Sequence, residues 1–298
     1  MQAVPGRCSP ARVAGPGPAT VRLVMHGLSV LSEIDLPFHR QTGRRAGIDV
    51  RIVEGEVPVH GELVWEAAVP PRCRCLRDGG RITLAWEDAR FAVTADRIVV
   101  DGDDSDLTRQ LLAHPVWAAL LAARGRQALH ACAVARDGHG LAVAGGAGSG
   151  KSTAALSLID AGWALVADDL LAFDAQGRAL PGPAIVHLRP DRAAGRDGQW
   201  DDLGRLRYVA PARSSPVPVR TLVLLDAQFG ALRPLHGLEA IEGVLRHIYH
   251  PIPTYPGQSR QCLDFAMSLV TRMDVLGAAP RSLSPDELVR IAGMGVAP

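Results

Sequence analysis

One stretch of the sequence has the composition and spacing of a phosphate-binding loop. Residues 145–152 read Gly-Gly-Ala-Gly-Ser-Gly-Lys-Ser, which fits the pattern of a glycine, four residues and then Gly-Lys-Ser/Thr. Glycines let the backbone turn sharply and aim its N–H groups inward, and a following helix N-terminus adds partial positive charge. In such a loop the Lys151 ammonium reaches the β- and γ-phosphates, and the Ser152 hydroxyl sits on Mg²⁺. We therefore predict that ATP and Mg²⁺ bind here. The predicted nucleotide-binding residues are Gly145, Gly146, Ala147, Gly148, Ser149, Gly150, Lys151, Ser152 and Thr153.

The sequence around this loop supports the prediction. Leu141–Ala144 is a short apolar run typical of a buried strand, and Ser152–Ala161 has the spacing of a helix. Lys151 is the only lysine among the 32 Lys and Arg residues of the chain. A compact ammonium fits under a glycine loop where a planar guanidinium does not. The alternative is a Gly/Ala-rich turn from strand to helix that binds no ligand.

An acidic pair and a histidine are the other candidates for chemistry. Trp163–Ala167 is predicted to be a buried strand that ends in Asp168 and Asp169, soon after the helix that follows the loop. Carboxylates at the same sheet edge as a phosphate loop lie beside Mg²⁺ and the γ-phosphate. Adjacent residues in strand geometry point to opposite faces, so one carboxylate can face the nucleotide while the other faces His130. The alternatives are a solvated strand end for the acidic pair and a core histidine for His130.

Several elements are needed to position these residues. Leu129–Ala135 and Leu141–Ala144 are predicted to form a hairpin that leads into the loop. Strands are also expected at Ala184–Leu188 and Arg220–Leu225, with a long polar loop over residues 190–217 between them. Helical spacing covers Leu238–Ile248 and Arg260–Met273, and Ser284-Pro285-Asp286-Glu287 is a capping box that opens a last helix.

The chain before residue 126 is predicted to be mostly β-structure. Residues 1–19 are rich in Pro, Gly, Ala and Arg and are expected to be a disordered leader. Residues 20–125 are expected to form a small antiparallel β-domain followed by linking helices, with Asp106 as an N-cap and Pro115 starting or kinking the second helix. The boundary with a catalytic domain, residues 126–298, should fall near residues 105–126. Six segments have strand patterns: Val21–Met25, Ile48–Val53, Glu62–Trp65, Arg81–Trp86, Phe91–Val93 and Arg97–Val100.

Composition excludes several classes of function. The 298 residues carry a formal net charge of +1 and only 4% aromatics, which gives no drive toward nucleic acid or anionic membrane. No uninterrupted apolar run approaches the roughly 18 residues needed to span a bilayer. The five cysteines are scattered and complete no zinc pattern, so we expect free thiols in a reducing cytoplasm.

Three motifs together resemble the catalytic domain of the HPr kinase/phosphorylase family. They are Leu129-His130-Ala131, the loop Gly145–Ser152, and Ala167-Asp168-Asp169, and the similarity covers about residues 126–190. Residues 27–37 are similar, more weakly, to the N-terminal region of a divergent branch that includes kinases encoded with lasso peptides. The resemblance implies an α/β fold: a P-loop, HPr kinase-like nucleotide-binding domain preceded by a small β-rich N-terminal domain.

The resemblance also implies roles for individual residues. Asp168 would accept the proton of a substrate serine hydroxyl. Asp169 would orient His130 and the metal site, to which Ser152 also belongs. His130 would lie near the γ-phosphate. The family's glycine-rich signature after the acidic strand is absent, since residues 179–189 read Ala-Leu-Pro-Gly-Pro-Ala-Ile-Val-His-Leu-Arg. That signature is tied to HPr docking, to dephosphorylation and to a metal-binding glutamate, so the resemblance supplies no second protein ligand for Mg²⁺.

These observations lead to one main functional hypothesis and two rivals. The first is a cytoplasmic, ATP-dependent serine kinase acting on a peptide or small protein, such as a ribosomal or lasso peptide precursor. The rivals are a non-catalytic, ATP-sensing regulatory module and a small-molecule kinase. Arg189, Arg205 and Arg207 are candidates to neutralise phosphate or to hold an acidic peptide, and the alternative is that they are exposed surface charges. Self-association is left open.

Overall fold

The computed structural model describes residues 20–36, 47–67, 72–249 and 258–293, so the predicted leader lies outside the described residues. The chain has an α/β fold with several sheets, two of them mixed. Within the described ranges, no helix is long and apolar enough to cross a membrane. The strands are β1 Val21–Met25, β2 Leu28–Ser32, β3 Val50–Glu54, β4 Glu62–Glu66, β5 Arg74–Asp78, β6 Arg81–Ala85, β7 Ala89–Val93, β8 Arg97–Gly102, β9 Ala128–Leu129, β10 Ala131–Arg136, β11 His139–Gly145, β12 Ala164–Ala167, β13 Leu171–Ala172, β14 Arg178–Ala179, β15 Ile185–Leu188, β16 Gln199–Trp200, β17 Leu206–Val209, β18 Val217–Leu225, β19 Arg233–Pro234 and β20 Asp274–Ala278. The α-helices are α1 Asp106–Leu111, α2 Trp117–Ala123, α3 Lys151–Asp160, α4 Gly237–Arg246, α5 Gln258–Val270 and α6 Pro285–Gly293.

Strands β1 to β8 form one eight-stranded sheet with the order β1-β2-β3-β8-β7-β6-β5-β4. The period-2 pattern that predicted these strands matches their burial: Val50 and Ile52 of β3 are buried, whereas Arg51 between them is exposed. The predicted antiparallel arrangement is wrong for two pairs, because β3 runs parallel to both β2 and β8. Residues 33–49 separate β2 from β3, and a connection of this length permits a parallel crossover.

The segment after this sheet contains two helices joined by a π-helical turn over Leu112–Val116. The helix α1 is capped by Ser105, whose Oγ accepts a hydrogen bond from the Thr108 N–H at 3.2 Å. The predicted N-cap, Asp106, is therefore wrong by one residue, and Asp106 is the first helical residue. Pro115 lies inside the π-helical turn. Its missing N–H and its ring disrupt the ordinary helical hydrogen-bond ladder, which accounts for the irregular turn at this position.

The hydrophobic core beneath the eight-stranded sheet extends past the predicted domain boundary. Its buried residues include Trp117, Leu120 and Leu121 of α2, and also Leu170 and Leu180 from the later part of the chain. The backbone N–H of His26, in the turn between β1 and β2, donates to the carbonyl of Pro181 at 2.9 Å. Packing therefore joins the first sheet to the segment that follows the acidic pair.

A second, seven-stranded sheet carries the predicted chemistry. Its order is β12-β10-β11-β18-β20-β19, and β14 also pairs with β18. The predicted hairpin is confirmed, since β10 pairs antiparallel with β11 and Ala131 lies opposite Ala144. The strands β11, β18 and β20 are parallel neighbours, so their carboxyl ends meet at one edge. The strand β20 is absent from the sequence prediction.

Helices cover both faces of this second sheet. On one face, α3 and α6 share a core with β11 and β18, through residues such as Leu158 and Leu288. On the other face, α4 and α5 pack through residues such as Val244 and Leu269. The predicted capping box of α6 is confirmed: the Ser284 hydroxyl accepts from the Glu287 N–H at 3.2 Å, and the Glu287 carboxylate accepts from the Ser284 N–H at 2.9 Å.

The region predicted as a long polar loop, residues 190–217, contains regular structure. A 3₁₀ turn spans Pro190–Arg192, and β15, β17 and β16 form a three-stranded antiparallel sheet. The prediction was wrong because β16 and β17 are short: β16 is exposed, and Leu206 is the one buried residue of β17, so the apolar signal of a buried strand is missing.

Candidate functional site

The predicted phosphate loop lies between β11, which ends at Gly145, and α3, which begins at Lys151. Gly148 and Gly150 have φ values of +75° and +110°, a conformation that strongly favours glycine. A Cβ added at Gly145 would collide with the side chain of Ser149, which folds back across the loop. Gly145, Gly148 and Gly150 are therefore required by the backbone path of the loop, whereas Gly146 has space for a side chain.

The lone lysine of the chain lies at the centre of this loop. Lys151 is only 6% exposed, and its Nζ donates to the carbonyl oxygens of Gly145 at 2.9 Å and Gly146 at 3.1 Å. The same Nζ lies 4.0 Å from Oδ1 of Asp169. The ammonium is thus held between the loop carbonyls and the acidic pair, within reach of any anion that the loop binds.

Asp168 faces the first turn of α3. The Ser152 hydroxyl lies 3.3 Å from both carboxylate oxygens of Asp168 and donates to them. Burial and, to a lesser extent, the neighbouring Asp169 charge raise the pKa of Asp168 to about 7, against the opposing effects of Lys151 and Ser152. A carboxylate with such a pKa can accept a proton near neutral pH.

Asp169 faces the opposite way and binds the predicted histidine. Its Oδ1 lies 2.8 Å from Nε2 of His130. Burial by itself raises the pKa of Asp169, but the hydrogen bond from His130 and the neighbouring His114, His130 and Lys151 charges outweigh it. The pKa of Asp169 is consequently held well below its usual range. The pKa values of the two adjacent carboxylates are therefore shifted in opposite directions.

The reason that the two carboxylates diverge differs from the one expected from strand geometry. The strand β12 ends at Ala167, and Asp169 has a left-handed φ of +67°. A left-handed residue is uncommon outside glycine, although Asp and Asn adopt this conformation more readily than other residues. The turn at the strand end, rather than the pleat of the strand, therefore directs Asp168 to the loop and Asp169 to His130.

The main chain of His130 connects three parts of the site. Its N–H donates to the carbonyl of His247 at 2.8 Å, and its carbonyl accepts from the Gly145 N–H at 3.2 Å. The imidazole lies in an edge-on contact with the ring of Tyr249, with centroids 5.4 Å apart. These contacts link the end of α4 and the start of the phosphate loop to one histidine.

The residues predicted as metal ligands, Ser152 and Asp169, do not contact each other. The carboxylate beside Ser152 is Asp168, whereas Asp169 is bound to His130. The described residues contain no group of three or more His, Cys, Asp and Glu that could hold a metal ion alone. Mg²⁺ is commonly held by one or two carboxylates together with substrate phosphates, so the Ser152 hydroxyl and one carboxylate of the acidic pair fit an ion that arrives with a nucleotide.

Sequence reasoning missed one histidine near this site. His114 comes from the π-helical turn; its Nδ1 lies 3.1 Å from the carbonyl oxygen of Gln110, and its ring centroid lies 6.5 Å from that of His187. Burial lowers the pKa of His114, while the charge of Asp169 acts in the opposite direction. The only signal in the sequence was Pro115. It marked an irregularity in the helix, but it did not indicate that this irregularity places His114 near Asp169.

The three candidate arginines have different surroundings. Arg205 bonds to Asp201 at 2.9 Å and to Gln110, and Arg207 bonds to Asp106 at 2.9 Å. These two guanidinium groups join the three-stranded sheet to α1. Arg189 instead lines a cavity of about 580 Å³ beside the phosphate loop, together with Arg192 and Arg281.

The cysteine prediction can be checked at four positions. Cys73, Cys75, Cys132 and Cys262 are buried and form no disulfide among the described residues, and Cys8 lies outside those residues. The Cys132 thiol donates to the Lys151 carbonyl at 3.2 Å, and burial raises its pKa above the usual range. This thiol therefore packs against the start of α3 as a protonated group.

Comparison with known proteins gives little that bears on this site. No family model matches the sequence, and no curated protein matches it. Among solved structures, the chain is similar to the Hpr(Ser) kinase/phosphatase from Coxiella burnetii, with 20% sequence identity over 38% of this chain and 79% of that chain, and a TM-score of 0.19. A TM-score this low carries no functional argument, so function is argued from the residues themselves.

Proposed function

We propose that this protein is an ATP- and Mg²⁺-dependent kinase that transfers the γ-phosphate of ATP to a serine hydroxyl of a peptide or small protein. One observation carries the proposal: the Asp168–Asp169 pair lies directly against the phosphate loop. The Ser152 hydroxyl is 3.3 Å from Asp168, and the Lys151 ammonium is 4.0 Å from Asp169. A loop that only anchored a nucleotide would have no need of a half-buried carboxylate with a raised pKa beside it.

The loop and its lysine would bind the phosphate chain. The backbone N–H groups at the start of α3 point toward an anion bound by the loop, and the helix dipole favours negative charge there. The Lys151 ammonium would exchange its two carbonyl partners for β- and γ-phosphate oxygens, which are stronger acceptors because they are charged. When bound, Mg²⁺ would neutralise the charge that develops on the phosphoryl oxygens.

Asp168 would act as the general base. A serine hydroxyl is a weak nucleophile, so its proton must be accepted as its oxygen attacks phosphorus. In this step the proton moves to Asp168, the new bond forms between the serine oxygen and the γ-phosphorus, and the bond to the ADP oxygen breaks. The raised pKa of Asp168 makes its carboxylate a stronger base than an exposed aspartate.

Asp169 and His130 would position the reacting groups. The hydrogen bond of 2.8 Å between them fixes the imidazole, and the main chain of His130 is bonded to Gly145 at the start of the loop. A shift of either residue would therefore move the loop relative to the acidic pair. Because transfer depends on alignment within fractions of an ångström, this connection supports the rate without direct proton transfer.

A peptide acceptor is favoured by the resemblance to kinases encoded with ribosomal peptides. For the small-molecule alternative, a closed pocket containing Asp168 would be expected. The cavity of about 580 Å³ beside the loop includes Lys151 and Ser152 but neither residue of the acidic pair. The acceptor would therefore approach Asp168 from outside this cavity.

The test is transfer from labelled ATP to candidate peptide precursors, followed by mass spectrometry of the product. We expect a phosphoserine product and a loss of at least about 100-fold in rate for Asp168→Asn. Asp264→Asn, on the exposed surface of α5, is the matched control and should leave the rate unchanged. Transfer at the wild-type rate in Asp168→Asn would reject the mechanism. Tight ATP binding without a phosphorylated product for any partner would favour the ATP-sensing module.

A further inference from the structure

The segment that follows β20 is hydrogen-bonded to the phosphate loop through Arg281. Its backbone N–H donates to the Ser149 carbonyl at 2.9 Å, and its guanidinium Nε donates to the Gly148 carbonyl at 3.0 Å. Arg281 has a left-handed φ of +58°, which is uncommon for a residue with a long side chain. An unfavourable backbone conformation persists only where surrounding contacts enforce it, and such residues cluster at functional sites.

These two hydrogen bonds act on the orientation of the loop peptides. In a trans peptide the carbonyl and the following N–H point in opposite directions. When Arg281 holds the Ser149 carbonyl on the outer side, the N–H of Gly150 is directed the other way. The contact thus favours a loop in which this amide is already oriented, so binding an anion requires less reordering.

The guanidinium group of Arg281 has further hydrogen-bond donors. Nε is bonded to Gly148, whereas the two terminal nitrogens have no hydrogen-bond or ion-pair partner among the residues that the structure describes. The terminal Nη2 lies 3.7 Å from the position that a Cβ would occupy at Gly148, so the group crosses the loop at its glycines. The side chain also lines the cavity shared with Lys151 and Ser152.

Arg281 is fixed to a rigid part of the fold. The capping box of Ser284 and Glu287 begins α6 three residues later, and Leu288 and Ile291 of that helix are buried in the core shared with α3. The helix that begins at the phosphate loop and the helix that follows Arg281 therefore pack together. This arrangement keeps the guanidinium beside the loop.

From this geometry we infer that Arg281 is the second cation of the nucleotide site: it binds the phosphate chain through its terminal nitrogens while holding the loop through Nε and its main chain. The inference rests on the proposed nucleotide site and adds a residue to it. Lys151 approaches the phosphates as a point charge from inside the loop, whereas Arg281 offers a planar fork from the cavity side. The ligand class is a di- or triphosphate.

The experiment measures the dissociation constants of MgATP and of inorganic pyrophosphate by calorimetry, for the full chain and for Arg281→Gly. Glycine is chosen because it accepts the left-handed backbone without strain. We expect both ligands to bind about 10-fold to 100-fold more weakly to the variant, as for the loss of a charge-assisted hydrogen bond. Arg192→Ala removes a charge from the same cavity but not from the loop, and should change either constant by less than about threefold.

Three outcomes would overturn the inference. The first is wild-type affinity for both ligands in Arg281→Gly. The second is a loss confined to MgATP with unchanged pyrophosphate binding, which would place Arg281 at the base or ribose. The third is an equal loss in Arg192→Ala, which would indicate a general effect of charge. If Arg281→Gly does not fold, Arg281→Lys replaces it; we then expect a loss of about threefold to 10-fold for both ligands, and unchanged binding would overturn the inference.

Failure of this inference and failure of the kinase proposal can be told apart. If the wild-type protein binds MgATP but transfers no phosphate, the kinase proposal is rejected, and the role of Arg281 in binding can still be measured. A wild-type protein that transfers phosphate, with an Arg281→Gly variant of equal nucleotide affinity, removes only the inference. A wild-type protein that binds neither MgATP nor pyrophosphate rejects both.

Discussion

The phosphate loop and the acidic turn lie side by side but are held in place by different kinds of interaction. The loop depends on glycine conformation and on main-chain hydrogen bonds, many of them between residues close in sequence. The acidic turn depends on side chains from distant parts of the chain: Ser152 for Asp168, and His130 for Asp169. The loop conformation is set by its glycines and its main-chain contacts, whereas the positions of the two carboxylates are set by side chains on other elements.

This difference predicts that the two regions respond differently to mutation. Changes in the loop should abolish nucleotide binding, and changes in the acidic turn should leave binding intact while reducing transfer. The Lys151 and His130 variants below test that separation, and the Asp168 and Arg207 variants test the pKa of the acidic turn and an ion pair outside both regions. The expected effects run from the largest to the smallest.

Lys151→Met should weaken MgATP binding by at least about 100-fold, because it removes the only cation inside the loop while keeping the length of the apolar stem. Lys151→Arg should not restore binding, since a guanidinium does not fit among the loop carbonyls. Calorimetry measures both. Arg260→Met removes one charge from an exposed position of α5 and should bind MgATP normally; near-normal binding in Lys151→Met would contradict the assignment of the loop.

His130→Asn should lower kcat for transfer by about 10-fold and leave the dissociation constant of MgATP nearly unchanged. The substitution removes the bond to Asp169 but keeps the main-chain link to Gly145. Steady-state kinetics and calorimetry separate the two quantities. His139→Asn, at the start of β11, is the control. A loss of binding equal to the loss of kcat would mean that the acidic turn and the loop are not separable.

Asp168→Asn should raise thermal stability in the absence of nucleotide and Mg²⁺. The folded chain holds the Asp168 proton up to about pH 7, whereas the unfolded chain releases it near pH 3.9. Between these values the folded state binds more protons, so the wild-type free energy of unfolding falls as pH rises. The variant has no such loss, and its Tm should exceed that of the wild type by about 2–8 °C at pH 8.

The control for this prediction is the same comparison of Tm values at a lower pH. The Tm difference between Asp168→Asn and the wild type should be smaller at pH 5 than at pH 8, because less of the wild-type carboxylate is ionised in the folded state. Calorimetric scans at both pH values give the two differences. A gap that stays constant or narrows as pH rises would show that Asp168 is not held with a raised pKa.

Arg207→Ala should have the smallest effect on function. Because Arg207 is paired with Asp106, we expect transfer to change by less than about twofold and the free energy of unfolding to fall by about 1 kcal/mol. Kinetic assays and denaturant titration measure the two effects. A fall of 10-fold or more in transfer, with normal stability, would instead favour the reading in which this arginine binds phosphate or an acidic acceptor.

The sequence predicted the features that local chemistry determines. Each of these features depends on residues within a few positions of one another. They are the loop with its glycines and the lone Lys151, the hairpin before the loop, and the capping box of α6. It did not predict the parallel pairing of β3 or the strand β20, because both depend on partners far along the chain. The left-handed conformations of Asp169 and Arg281 were missed for the same reason: contacts with distant residues impose them.

The core beneath the first sheet has a consequence for dissecting this protein. Leu170, immediately after the acidic pair, is buried among residues of that sheet, as is Leu180 nearby. A fragment that began at residue 126 would keep every residue assigned a chemical role, yet it would expose these leucines to water. Such a fragment should bind nucleotide poorly and aggregate, so the eight-stranded sheet is a structural component of the proposed catalytic unit and not a detachable accessory.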